Sequence, residues 1–121
     1  MGVTGGFPIL ATRDLPRLES FYRDAFGAER TYAFDAGGRD VYVALALGGS
    51  SIGIAVDDDL GTEPIGMALW LYVDDLDDAY RAALEAGGTS IAEPAPMPWG
   101  ERVAQVRDPG GFVVHLGIEA D

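Results

Sequence analysis

The feature that most constrains this chain is an internal duplication. A short apolar segment, an amphipathic helix and three strand-like segments occur in that order, and then occur again. Self-similarity of this kind fixes the architecture before any single residue is interpreted. Laying Asp14 on Asp75 pairs Leu10 with Leu71, Leu15 with Leu76, Ala25 with Ala86 and Gly27 with Gly88. One further residue of offset sets Val41 on Val103 and Gly48-Gly49 on Gly110-Gly111.

Each helix is legible from its stripe and its ends. After Asp14, apolar side chains fall at Leu15, Leu18, Phe21, Tyr22, Ala25 and Phe26, the three-and-four spacing of one buried face. Asp14 can accept from the free N–H groups of the first turn, Pro16 is tolerated there, and Gly27 suits a left-handed stop. The second helix has Asp75 as cap, then Leu76, Ala79, Tyr80, Ala83 and Leu84, and closes on Gly87-Gly88. Asp77 and Asp78 place negative charge at the positive end of its dipole.

Strands are expected at Pro8–Thr12, Arg30–Phe34, Val41–Leu47 and Ser51–Val56, and again at Ala68–Val73, Thr89–Glu93, Arg102–Arg107 and Phe112–Ile118. Gly48-Gly49 and Asp108-Pro109-Gly110-Gly111 read as turns between them. Neither opens a helix, so neither is a phosphate loop. At 121 residues this makes one α+β domain spanning 1–121. Module one occupies about 5–56, an acidic linker about 57–66, and module two about 67–119.

Composition narrows the function classes. Twenty acidic residues against eight basic ones give a net charge of −12, which argues against nucleic acid and would favour a cationic ligand. The absence of cysteine removes thiolate metal sites and thiol nucleophiles. No leader is expected at Met1–Gly6 and no apolar run is long enough for a bilayer, so a cytoplasmic protein is expected, without a membrane partner. No serine-centred nucleophile motif occurs, and His115 is the only histidine.

Three stretches together resemble the glyoxalase/bleomycin-resistance/dioxygenase (vicinal-oxygen-chelate) superfamily: Ile9–Leu15 running into Ser20–Asp24, Val73–Ala79, and Arg107–Phe112. The resemblance implies two βαβββ modules curled into halves of a cup, with helices outside and a ligand cavity inside. It also implies metal-ligand positions on the first and last strand of each module. In this sequence those are Phe7, Gly53, Ala68 and His115. Phe, Gly and Ala offer no side-chain donor, whereas a divalent metal needs three or four from the protein. No metal and no other cofactor is therefore expected. The chain is similar to the non-metal, bleomycin-resistance-like branch, which implies a homodimeric, drug-sequestering protein taking an aromatic or cationic small molecule. The alternative is a lyase or ring-cleaving enzyme of the same superfamily. It would use displaced donors, such as Asp35, Asp40 or Glu93, or His115 as an acid–base group.

Strand alternation sets Trp70 and Tyr72 on the face of Ala68 and points His115 away from the helix-facing Val114 and Leu116. Trp70, Tyr72, His115, Trp99, Phe7 and Tyr42 are the candidate ligand contacts, with Ile9 of the same kind. Trp70 and Tyr72 either line a site or fill the cup as core. His115 is a polar ligand contact, a satisfied structural histidine or an unused relic. Trp99, in the proline-rich loop Pro94–Gly100, reads as a lid, a dimer contact or a ring folded back over the sheet edge. Arg102 and Glu93 flank that loop and are expected to pair on the surface.

Overall fold

The computed structural model describes residue 2, residues 6–62 and residues 66–119. The expected start of module one at Gly5, Glu63 and Pro64 of the linker, and the final two residues of the domain lie outside the described residues. The elements in chain order are β1 (Ile9–Thr12), α1 (Leu15–Phe26), β2 (Glu29–Ala36), β3 (Arg39–Leu47) and β4 (Ser50–Val56). Module two follows with β5 (Ala68–Tyr72), α2 (Leu76–Glu85), β6 (Thr89–Pro96), β7 (Arg102–Arg107) and β8 (Val113–Ile118). The two four-stranded sheets have the orders β1-β4-β3-β2 and β5-β8-β7-β6, one topology used twice. The α+β fold of paired βαβββ modules expected from the sequence is the fold observed.

Both helices begin as their caps dictate. Asp14 accepts from the Arg17 N–H at 3.2 Å and Asp75 from the Asp78 N–H at 3.1 Å. Their C-termini differ. Gly27 adopts φ 71°, the left-handed conformation that glycine reaches without a Cβ penalty. In α2 the cap is Ala86 and the positive φ, 106°, belongs to Gly87, so Gly88 is not the conformational counterpart of Gly27.

The helix-side faces of both sheets and the inner faces of both helices form one core. Leu10, Val43, Leu45, Ile52 and Ile54 come from module one, and Leu69, Ala104, Val106, Val114 and Leu116 from module two. Leu15, Leu18, Phe21, Tyr22, Leu76 and Ala83 meet them from the helices. The modules join where α1 packs on α2 and on the β7–β8 turn, not through their sheets. Glu19, buried on α1, is held by a two-pronged bond from Arg30 at 2.6 and 2.7 Å, so its charge is compensated inside module one.

Two expectations need correction. The prolines do not keep Pro94–Gly100 wholly a loop: β6 runs through Pro96 as an edge strand, where proline is tolerated because only one side of the strand is paired, and Trp99 sits at the tip of the β6–β7 hairpin. Arg102 does not pair with Glu93. Its guanidinium lies 3.5 Å from Asp77 of α2, because alternation along β7 turns Arg102 to the helix side.

Candidate functional site

The register of the two parallel strand pairs builds the site. In module two, β5 lies beside β8 with Trp70 opposite His115 and Tyr72 opposite Gly117. In module one, Ile9 faces Gly53 at the same place in the duplicated design. Val114 and Leu116 are buried toward the helices, so His115 and Gly117 open onto the other face with Trp70 and Tyr72.

On that face the aromatic groups organise one another. The Trp70 indole stacks on the His115 imidazole with centroids 5.2 Å apart and planes 19° apart, and meets Tyr72 edge-on at 6.0 Å. A Cβ at Gly117 would lie 3.3 Å from the indole, so the glycine is the seat on which Trp70 lies flat. Trp70 and Tyr72 remain 41% and 51% exposed. They are therefore not buried as core in the single chain, and the Trp70 face turned away from His115 keeps exposed surface. His115 Nδ1 is buried with no hydrogen-bond partner among the described residues, an uncommon state for a buried polar atom.

Trp99 is 59% exposed at the tip of the hairpin. Its Nε1–H donates to Glu101 Oε1 at 2.6 Å. Glu101 also lies near Tyr72, since Tyr72 is opposite Gly117 on β8 and Gly117 is opposite Val103, two residues after Glu101. The neighbouring Glu101 carboxylate is the main reason the Tyr72 phenol is pushed above its ordinary range, with burial next and the charge of Glu119 adding to it. The carboxylate thus fixes the indole at the hairpin tip. Sequence reasoning did not single out Glu101. The only signal was its position two residues after a tryptophan at a hairpin tip, where the indole N–H needs an acceptor.

The remaining candidates lie on module one. Phe7 precedes β1 and is exposed, as is Ile9. Tyr42 lies across Gly53, where an added Cβ would come within 2.6 Å of its hydroxyl. Tyr32 and Phe34 of β2 are also exposed on this face, and Tyr32 sits 6.1 Å from Tyr42. Trp70, Tyr72, His115 and Trp99 with its carboxylate therefore form one cluster, while Phe7 and Tyr42 belong to a second apolar face on the other module.

A cavity of about 560 Å³ runs along the edge of β5 that pairs with no strand. Phe26 and Leu47 wall it on one side, Leu71, Asp75 and Asp78 on the other, and Trp70 and Tyr72 reach it. It does not include His115, Trp99, Phe7 or Tyr42, so the cleft and the aromatic face are adjacent features sharing two residues.

The four positions at which metal-dependent relatives place ligands do not fit a metal here. Phe7, Gly53 and Ala68 bring no donor, and Gly53 is covered by Tyr42. Among the described residues no three His, Cys, Asp or Glu side chains converge as a metal site would require. Asp40, a possible displaced donor, is engaged by Arg30 at 3.1 Å. No described helix is long and apolar enough to cross a membrane.

Known proteins share this fold. A glyoxalase/bleomycin-resistance/dioxygenase family enzyme from Burkholderia phytofirmans superposes with a TM-score of 0.80 at 23% identity, covering 91% of this chain and 94% of that one. The fosfomycin resistance protein FosX from Listeria monocytogenes, solved with Mn(II) and a dihydroxypropylphosphonic acid, does so at 0.76 and 18% identity, covering 95% of this chain and 90% of that one. In sequence the chain is 32% identical over 101 residues to CFP32 of Mycobacterium bovis, a protein named as a candidate glyoxylase. That match covers 83% of this chain, and the chain spans 38% of the length of that relative. The sequence profile of one family matches residues 6–116, nearly all of both modules, and the chain belongs to the Glyoxalase/Bleomycin resistance protein/Dioxygenase superfamily.

Proposed function

We propose that this protein binds a small organic molecule without a metal ion and holds it unchanged, as drug-sequestering members of the superfamily do. The observation that carries this reading is the chemistry of the four inherited positions, where one imidazole stands among Phe7, Gly53 and Ala68. In their place the second module presents exposed ring faces, suited to burying and stacking a planar or apolar ligand.

A thermal-shift screen of aromatic and cationic natural products, followed by mass analysis of each hit, tests this. A true ligand raises the melting temperature as expected for binding to the native state alone and is recovered intact. Trp70→Ala should weaken it about tenfold or more, as for a central aromatic contact. The purified protein should carry far less than one equivalent of Zn, Ni, Mn or Fe, and chelator should leave its melting temperature unchanged. One observation favours the enzymatic alternative: the unpartnered buried Nδ1 of His115, the sole histidine, on the ligand face. Turnover of a hit, abolished in His115→Ala with binding retained, would establish that alternative instead.

The working form in this reading is a homodimer. Ile9, Tyr32 and Phe34 leave apolar surface on the sheet face of module one. β1 and β5 each end their sheet with a free edge, and such surface and edges call for cover. Sedimentation at micromolar concentration should give a species of twice the 12.8 kDa chain mass, and a monomer alone would refute it.

A further inference from the structure

We propose that the open face of module two selects organic cations over neutral molecules of the same shape, with Glu101, bonded by Trp99 and near Tyr72, as the specificity-determining carboxylate. This rests on the reading of that face as a ligand site and assigns its ligand class. Three observations converge on it. The first is the setting of Glu101, which takes the Trp99 indole N–H at 2.6 Å and lies two residues before Val103, whose β8 partner Gly117 is opposite Tyr72. That donor is neutral, so the bond positions the carboxylate without placing a cation beside it.

The second is the absence of a compensating cation. The adjacent Arg102 is turned to the opposite side of the sheet, onto Asp77, and Arg107 donates to the Gly111 carbonyl. Among the described residues no arginine pairs with Glu101, and the chain has no lysine. Glu119 adds a second carboxylate whose charge is felt at Tyr72. The third is the rings. Trp70, Tyr72 and Trp99 all keep exposed surface, and the face of an aromatic ring is the negative end of its quadrupole. An alkylated ammonium centre placed against such faces is attracted by them and by the carboxylate together. A neutral ligand of equal size gains only the apolar contact, and an anion is repelled.

Phenyltrimethylammonium and tert-butylbenzene are isosteric and differ in charge, and benzenesulfonate supplies the opposite sign. Trp70 and Trp99 are the only tryptophans, so intrinsic emission reports this face alone. Titration of the full chain should show phenyltrimethylammonium binding roughly tenfold tighter than tert-butylbenzene, with benzenesulfonate weaker than both. The preference should shrink as salt is raised. Glu101→Gln, which keeps an acceptor for Trp99, should lower affinity for the cation severalfold and leave that for tert-butylbenzene unchanged. Glu119→Gln gives a second variant with a smaller loss of the same kind. Equal binding of the cation and its neutral isostere, insensitive to Glu101→Gln, would overturn cation selection while leaving the face as a binding site. Absence of any response to all three probes at millimolar concentration would overturn the face as a ligand site, and this inference with it.

Discussion

Asp108→Ala is expected to destabilise the protein by about 3 kcal/mol, because one substitution strips the partners from three buried donors at once. Asp108 is 4% exposed. Its Oδ1 accepts from the Gly110 and Phe112 N–H groups at 2.9 Å each, which closes the turn between β7 and β8. Its Oδ2 accepts from the Tyr22 hydroxyl at 2.6 Å, a bond that reaches from α1 in module one into module two. Burial, with the Asp108 charge and hydrogen bond behind it, pushes the Tyr22 phenol far above its ordinary range, so it stays a donor at any working pH. Asp108→Asn should behave quite differently. The carboxamide oxygen can keep both turn bonds while its NH₂ donates to the Tyr22 oxygen, so the loss at neutral pH should stay within about 1 kcal/mol.

The pair of variants also yields a pH test. Burial raises the Asp108 carboxyl above its ordinary 3.8, outweighing the hydrogen bonds that favour the ionised form. A group whose folded pKa is raised binds its proton more tightly in the native state than in the unfolded one. Its contribution is fully present below pH 3.8 and is lost as pH rises through the raised folded value. The stability of the natural protein relative to Asp108→Asn should therefore fall across that interval and then level off. Urea denaturation of both proteins from acid to neutral pH measures it. A difference constant with pH, or one that grows in favour of the natural protein as pH rises, would show that the carboxyl is not raised.

The Asp108 turn illustrates where sequence reasoning reaches and where it stops. Asp108-Pro109-Gly110-Gly111 is legible as a turn because its dihedral requirements are local, and the same holds for the caps Asp14 and Asp75. Alternation likewise carries Trp70, Tyr72 and His115 to one face, since a period of two needs no knowledge of other strands. The bond from Tyr22 to Asp108 crosses 86 positions and leaves no periodic trace. Arg102 illustrates the same limit. Its sequence neighbourhood suggested Glu93, yet its face of β7 delivers it to Asp77, and that displacement leaves Glu101 uncompensated on the other face. The β6 prolines misled for a related reason. Proline argues against a strand only where the ladder needs its N–H, and the edge position of β6 is a property of the assembled sheet.

Phe21→Ala is expected to cost about 4 kcal/mol, the range found for a large aromatic removed from a packed core. The ring is fully buried, meets Tyr22 edge-on at 5.0 Å and Phe26 at 5.6 Å, and so organises the inner face of α1. It also touches module two. A Cβ built on Gly88 would stand 3.0 Å from Phe21 Cε1, 2.8 Å from the Ala83 carbonyl oxygen and 3.3 Å from that of Arg107. Gly88 is thus a glycine because a ring from the other module and two backbone carbonyls close over it, whereas Gly27 is one for its left-handed backbone with open space around it. Two modules joined at such a point should unfold together, so far- and near-ultraviolet signals of Phe21→Ala should still coincide in one transition at lower urea. Separate transitions would mean that each module folds alone. Gly88→Ala should also destabilise, and combining it with Phe21→Ala should cost less than the two single losses added. Removing the ring clears one of the three obstructions while the two carbonyls remain, so the favourable coupling is partial, and full additivity would show that the ring does not pack over Gly88.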